Sequence, residues 1–169
     1  MPELRLRPLR DEDESVARRA HTEFGPDGFA FLLGADPAEA WPAYVRRLAR
    51  ERRGLDLPPD RVAAAFLFAH VGPEVVGRVS IRFALNPYLR ERGGHIGYGI
   101  RPAFRGHGHA HEVLRQALVI TRAEGVDRAL LVCRQDNAAS AAVILRAGGV
   151  EEQPFVDEHG ETQRRFWIN

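Results

Sequence analysis

The sequence predicts a single α/β domain over residues 1–169, with a mixed, mostly antiparallel sheet flanked by helices. Three observations predict it. The apolar runs 62–71 and 75–85 flank Gly72-Pro73-Glu74, which reads as an antiparallel hairpin. The apolar stretch 96–100 passes through Arg101-Pro102 and a glycine-rich turn into an amphipathic helix. Residues 129–133 (Ala-Leu-Leu-Val-Cys) form an unbroken apolar run, as in a central strand covered on both faces.

Each element follows from local chemistry. Leu4, Leu6 and Leu9 with Arg5 and Arg7 between them read as a short first strand. Asp11 to Ser15 offers an acidic helix start before Val16, Ala17 and Ala20. Residues 24–36 are irregular and carry Phe24, Phe29 and Phe31. Asp36-Pro37 reads as the cap of a second helix running through Trp41, Tyr44, Val45 and Leu48 to about Arg53. The 62–85 hairpin is followed by a loop over 86–94 and a strand over 95–100, in which Gly97 and Gly99 imply close approach of a neighbour. The next helix buries Ala110, Val113, Leu114, Ala117, Leu118 and Thr121 at i, i+3, i+4, i+7 spacing and ends at Gly125. Asp136-Asn137 starts a last helix that closes at Gly148-Gly149, and 150–157 with 162–168 form a terminal hairpin. The order is β-α-α-β-β-β-α-β-α-β-β.

Composition narrows the function. Of 169 residues, 44% are hydrophobic and 28% charged, with a formal net charge of +1. That balance argues against a dedicated nucleic-acid surface or an anionic-membrane surface. All 24 basic residues are Arg, as GC-rich coding produces. A single Cys, Cys133, excludes an internal disulfide. The start Met-Pro-Glu-Leu-Arg lacks an apolar signal region, and no apolar run approaches the roughly 18 residues of a membrane span. A reducing cytoplasm is the expectation.

The turn at 105–110 is the chemical centre. Small residues there let a ligand approach the backbone, and the first N–H groups of the helix lack intrahelical partners, so the turn suits a diphosphate. A P-loop requires a Lys that this chain does not contain. A dinucleotide fingerprint fails because Ala110 and His111 follow Gly106-His107-Gly108-His109, and because the motif comes after an antiparallel hairpin. What remains is Arg-x-x-Gly-x-Ala, from Arg105 to Ala110.

This unit, with the apolar strand to Cys133 and the Asn137-Ala-Ala-Ser140 helix start, resembles the acyl-CoA cradle of the GNAT superfamily of N-acetyltransferases. The chain is similar to a subgroup with a Gly-Gly-His-Ile-Gly-Tyr strand (Gly93 to Tyr98) and a Phe166-Trp167-Ile168 ending. The resemblance implies central strands that splay apart and acetyl-CoA as co-substrate, with no metal. It implies contacts from Ile100, Arg101, Arg105, Gly106, His107, Gly108, His109 and Ala110, and from Asn137 to the pantetheine arm. The Ile100 N–H, or that of a neighbour, would polarise the acetyl carbonyl.

In many members of that superfamily a Tyr seven residues after the Asn protonates the departing thiolate; here that position is Ile144. The amine must also lose its proton, since an alkylamine has a pKa of roughly 10. His95, Tyr98 and Ser140 are the catalytic candidates. His95 titrates near neutrality and suits a base, or else bonds the Gly-Gly loop structurally. Tyr98 competes with core packing, Ser140 with helix capping. Cys133 reads as a small buried hydrophobe. His107, His109 and His111 invite a metal, but only 107 and 111 have i, i+4 spacing. The acceptor is expected between the first two helices and the 86–94 loop, where Glu23, Asp27 and Glu91 suit a cationic amine of a small molecule or peptide. The alternatives are a CoA-binding module without catalysis, or an interaction face made by Arg46, Arg47, Arg50, Arg52 and Arg53. The aromatic residues Phe155, Phe166 and Trp167 serve the core or a homodimer.

Overall fold

The computed structural model describes residues 2–169. Eleven regular elements follow in the expected order. They are β1 (Leu4–Pro8), α1 (Glu14–Glu23), α2 (Trp41–Arg52), β2 (Ala64–Val71), β3 (Glu74–Arg82), β4 (Ile96–Ile100), α3 (His109–Ala123), β5 (Ala129–Arg134), α4 (Ala138–Arg146), β6 (Val150–Val156) and β7 (Thr162–Ile168). No helix is long and apolar enough to cross a membrane among the described residues.

The mostly antiparallel sheet resolves into two antiparallel sheets, ordered β1-β2-β3-β4 and β5-β7-β6. They meet where Gly94 bridges Leu131, and β4 has no ladder with β5 beyond that bridge. The two strands therefore part, as the splay expected.

Strand alternation gives β3 two different faces. Val79 and Ile81 join Leu67, Ile96, Ile100, Val113, Leu114 and Leu131 in the core under α3 and α4. The opposite face is covered by α1, α2 and the segment between them, with Phe24, Phe31, Trp41, Tyr44, Phe66 and Phe68 as a second core. On that second face β3 presents Arg78, Ser80 and Arg82, cross-strand from Gly99, Gly97 and His95 in the antiparallel register.

Two local expectations shift. Helix α2 begins at Trp41 with Pro42 in its first turn; Asp36 instead closes a turn by accepting from the Ala38 N–H. The 86–94 loop contains a wide helical turn, Leu89–Gly93, whose entry is capped by Asn86 Oδ1 on the Leu89 N–H. Phe166 lies in the core, whereas Trp167 and Phe155 are half-buried beneath Arg128 and Arg92.

Gly77 marks the tightest point of β3. A Cβ there would overlap the Gly99 carbonyl oxygen and come within 2.9 Å of Ile100 Cδ1. Gly77→Ala is therefore expected to overpack the β3–β4 pair and lower stability by about 1–3 kcal/mol. Chemical denaturation checks this, and an unchanged midpoint would contradict the packing described.

Candidate active site

The site begins with the backbone of β4. Arg101 N donates to Val76 O, and Arg82 N donates to His95 O. In the alternating antiparallel pattern these bonds fix which groups face β3. The N–H groups of Tyr98 and Ile100 therefore point away from β3, into the gap before β5. Strand β4 thus offers an unpaired row of donors and acceptors along the splay. Arg105 reaches back to this strand, its Nε donating to Ile100 O at 3.0 Å.

Beyond β4 the chain makes a short helical turn at Pro102–Phe104 and then enters the cradle. Gly106 and Gly108 have φ of 80° and 79°, conformations that favour glycine. The space above both is open, since a Cβ at either would meet nothing within 4 Å. Gly108 is the N-cap of the 15-residue α3, without a side-chain cap, so first-turn N–H groups are free to bind an anion. The residues from Arg105 to Ala110 therefore fit a diphosphate by shape and by dipole.

Several side chains expected to serve the ligand are otherwise occupied. Arg101 is buried and bidentate to Glu23 at 2.9 and 2.8 Å, with a third bond to Val75 O. Its guanidinium ties α1 to the end of β4. The Arg101 bonds hold Glu23 below the usual carboxylate range. Arg105 pairs with Asp27 at 2.9 Å. Glu23 and Asp27 are therefore each paired with an arginine. Asn137 Oδ1 accepts from the Ser140 N–H, capping α4; its amide nitrogen has no protein partner among the described residues.

Tyr98 and Ser140 come together. The Tyr98 hydroxyl lies 3.1 Å from Ser140 Oγ, bridging the splay from β4 to the first turn of α4. Burial pushes the Tyr98 phenol up to about 12, so it stays protonated at neutral pH. Ile144 is fully buried in the core and supplies no hydroxyl. Burial likewise pushes the Cys133 thiol up, which keeps it a weak nucleophile.

His95 is pinned to β5. Its backbone N–H donates to Leu130 O at 2.7 Å, and its Nδ1 accepts from the Leu130 N–H at 2.9 Å. The proton of the neutral ring therefore sits on Nε2, and the nitrogen able to accept a proton is already used. Burial and the nearby Arg90 and Arg82 pull its pKa down. This geometry removes the basis for His95 as a general base and gives it the structural part: it clamps the strands where the splay starts.

The three histidines of the cradle do not converge. His107 precedes α3, so it has no i, i+4 relation to His111, and its ring stacks on His109 at 5.9 Å. No cluster of three metal-ligating side chains exists among the described residues.

What sequence reasoning missed is the second face of β3. Arg78 is 2% exposed and bonds Phe31 O, Ala30 O and Gly97 O at 3.0, 2.6 and 3.2 Å. Its guanidinium carbon lies 4.2 Å from the Phe29 ring centroid. The signal was the spacing Arg78-x-Ser80-x-Arg82 within an otherwise buried strand, which places three polar groups on one face.

Comparisons with known proteins agree with this architecture. The sequence model of the family described as Acetyltransferase (GNAT) domain matches residues 3–150. No curated protein sequence matches the chain. Mycobacterium smegmatis RimJ in complex with CoA-disulfide superposes with a TM-score of 0.72 at 20% identity, over 98% of this chain and 81% of that one. An acetyl transferase from Salmonella typhimurium that modifies the N-terminal serine of ribosomal protein L7/L12 gives 0.71 at 18% identity, over 98% and 94%. The microcin C7 self-immunity acetyltransferase MccE, in complex with acetyl-CoA and AMP, gives 0.65 at 19%, over 98% and 92%. At these identities the likeness establishes the fold.

The clamp at His95 has a pH signature. Its folded pKa lies below the unfolded value of 6.5, so the unfolded chain binds the proton more readily. The stabilisation is present above that value and is lost as pH falls below it. Denaturation midpoints are expected to drop between about pH 7 and pH 5, with a shallower slope in His95→Gln. Identical slopes in the two proteins would remove His95 as the titrating group.

Proposed function

Because the chain belongs to the GNAT acetyltransferase family, we propose that it transfers an acetyl group from acetyl-CoA to a primary amine of a small molecule or peptide. One observation carries this reading: the unpaired edge of β4 runs directly into the open glycine cradle at the N-terminus of α3. The two parts match the two ends of an acyl-CoA, an extended arm with amides and a diphosphate. The similar acetyl transferase that modifies the N-terminal serine of ribosomal protein L7/L12 supports an amine acceptor, and we assign the whole domain over 1–169 to this single task. The single buried thiol suits a cytoplasmic setting.

When bound, acetyl-CoA supplies an activated thioester whose carbonyl carbon the amine attacks. The Tyr98 and Ile100 N–H groups hold the arm and donate to the carbonyl oxygen as it becomes negative. The backbone from Gly106 to Ala110 holds the diphosphate, and the free amide of Asn137 holds the arm from the other side. As the C–S bond breaks, the sulfur needs a proton. Tyr98 delivers it in place of the tyrosine absent at position 144. A phenol with a pKa near 12 gives up its proton to a thiolate only if it regains one in the same event. Ser140 Oγ provides that return path, passing on a proton released by the acetylated nitrogen. The pair thus works as a relay, and the overall proton count stays balanced.

Loss of the amine's own proton needs no carboxylate. Arg78 and Arg82 make no ion pair among the described residues, and both lie beside Gly97. Positive charge at close range lowers the pKa of an ammonium group, which raises the fraction of free amine.

At 100 times its Kd, acetyl-CoA is expected to stabilise the protein by about 2.7 kcal/mol, a Tm rise of about 5–10 °C. A thermal-shift series checks this, and no shift would overturn the CoA reading. Tyr98→Phe is expected to reduce kcat by about 100-fold with the acetyl-CoA shift intact. Ser140→Ala should fall in the same direction by less, because water can replace the hydroxyl. Binding without turnover on any amine would instead favour a CoA-binding module.

A further inference from the structure

On the second face of β3, Arg82 stands apart from every other sheltered arginine. Arg7, Arg47, Arg92, Arg101, Arg164 and Arg165 each pair with a carboxylate. Arg78 is saturated by three carbonyl oxygens. Arg82 has one long bond, Nη1 to Gly93 O at 3.3 Å, and no acidic partner among the described residues. Its Nε and Nη2 are left without a protein acceptor. The charged group that acts on it is Arg61, itself a cation.

A partly buried guanidinium without an anion is costly, because desolvation is not repaid by attraction. Burial pulls Arg82 down to about 10, yet it remains a cation at neutral pH. Such an arrangement persists when an anion arrives from outside, as at sites that bind acidic ligands.

The surroundings define where that anion sits. The Arg82 guanidinium lies against Gly97, where a Cβ would stand 3.2 Å from Nη1 and fence off the group. Ser80 is cross-strand from Gly97 and shares this face with Arg82; its hydroxyl has no protein partner among the described residues. Phe66 is cross-strand from Ser80 on the other side, with Arg78 above its ring. Gly97 immediately precedes Tyr98, whose N–H faces the splay. An anion on Arg82 is therefore only about two strand residues, some 7 Å, from the reacting centre proposed above.

We propose that Arg82, with Ser80, binds an oxyanion carried by the acceptor, so that the acceptor is a short amino acid or aminoalkyl phosphate and not a simple cationic amine. The inference rests on the acetyl-transfer reading for its placement of the amine. The planar fork of Arg82 donates two bonds to the oxyanion and the Ser80 hydroxyl a third, while the amine end reaches the β4 edge.

Binding and turnover test this separately. In the presence of saturating CoA, the wild-type chain is titrated with N-acetylglycine, N-acetyl-β-alanine and N-acetyl-γ-aminobutyrate, each beside its neutral amide at equal ionic strength. N-acetyl-aminoethyl phosphate beside N-acetylethanolamine forms the phosphate arm. Thermal shifts are expected for an acid and not for its neutral partner, and the series responding distinguishes carboxylate from phosphate. Arg82→Gln is expected to abolish the difference, and Arg82→Lys to keep part of it, because it retains charge without the fork.

In turnover, Arg82→Gln should raise KM for the acid-bearing amine by about 10- to 100-fold more than for its neutral-amide counterpart, since both lose the positive charge but only the acid loses its partner. Equal response to acids and amides in the wild-type protein overturns the proposal, even if Arg82→Gln does not fold. Absence of an acetyl-CoA shift would instead overturn the transfer reading, while the acid-versus-amide comparison without CoA would still decide whether Arg82 is an anion site.

Discussion

The second face of the sheet depends on one buried cation, Arg78. Its guanidinium holds the carbonyls of Ala30 and Phe31 and, on the other side, that of Gly97. It thereby staples the irregular segment after α1 to the strand that runs along the splay. Phe29 packs over the same guanidinium, and its ring lies where a side chain on Gly99 would be. Carbonyl oxygens satisfy its hydrogen bonds but leave its charge uncancelled. The second face of the sheet is therefore both rigid and positive, which follows from replacing ion pairs by carbonyl contacts at a single position.

The other arginines show how the same residue type is divided between tasks. Arg101 and Arg105 both leave the end of β4, and both are captured by acids from the α1 side, Glu23 and Asp27. Their pairing fixes the direction in which the chain enters the cradle. It also leaves backbone N–H donors at left-handed glycines as the groups the cradle presents. The diphosphate reading thus rests on backbone geometry and the helix dipole, with little help from side-chain charge.

Much of this was legible in the sequence. All eleven elements and their order follow from apolar period, turn residues and helix punctuation. The cradle was legible because the pattern Arg105-Gly106-x-Gly108-x-Ala110 opening a helix is present in the chain itself, and both glycines have positive φ in the structure. Side-chain partners were less legible, because they depend on distant segments. Nothing local says that Glu23 will meet Arg101, 78 positions away, or that His95 Nδ1 will accept from Leu130. The start of α2 was misplaced because Asp36-Pro37 and Trp41-Pro42 carry nearly the same signal, and burial of Trp41 against the second core decides between them.

Pairing in three dimensions changes the charge that faces the proposed acceptor site. Read along the chain, Glu23, Asp27 and Glu91 cluster near the expected pocket and favour a cationic ligand. In three dimensions the first two are neutralised by arginines on the strand end, and no acid reaches Arg82. A net charge of +1 conceals this partition, since paired charges cancel in the count while contributing little field at the site. What sets the local field is the pair of cations left without acids, Arg78 and Arg82, on the face beside Gly97. An acceptor seated beside Gly97, as proposed, meets that positive charge. A bare ammonium is disfavoured there, whereas a molecule that presents an oxyanion to Arg82 and a neutral amine to the splay meets complementary groups at both ends.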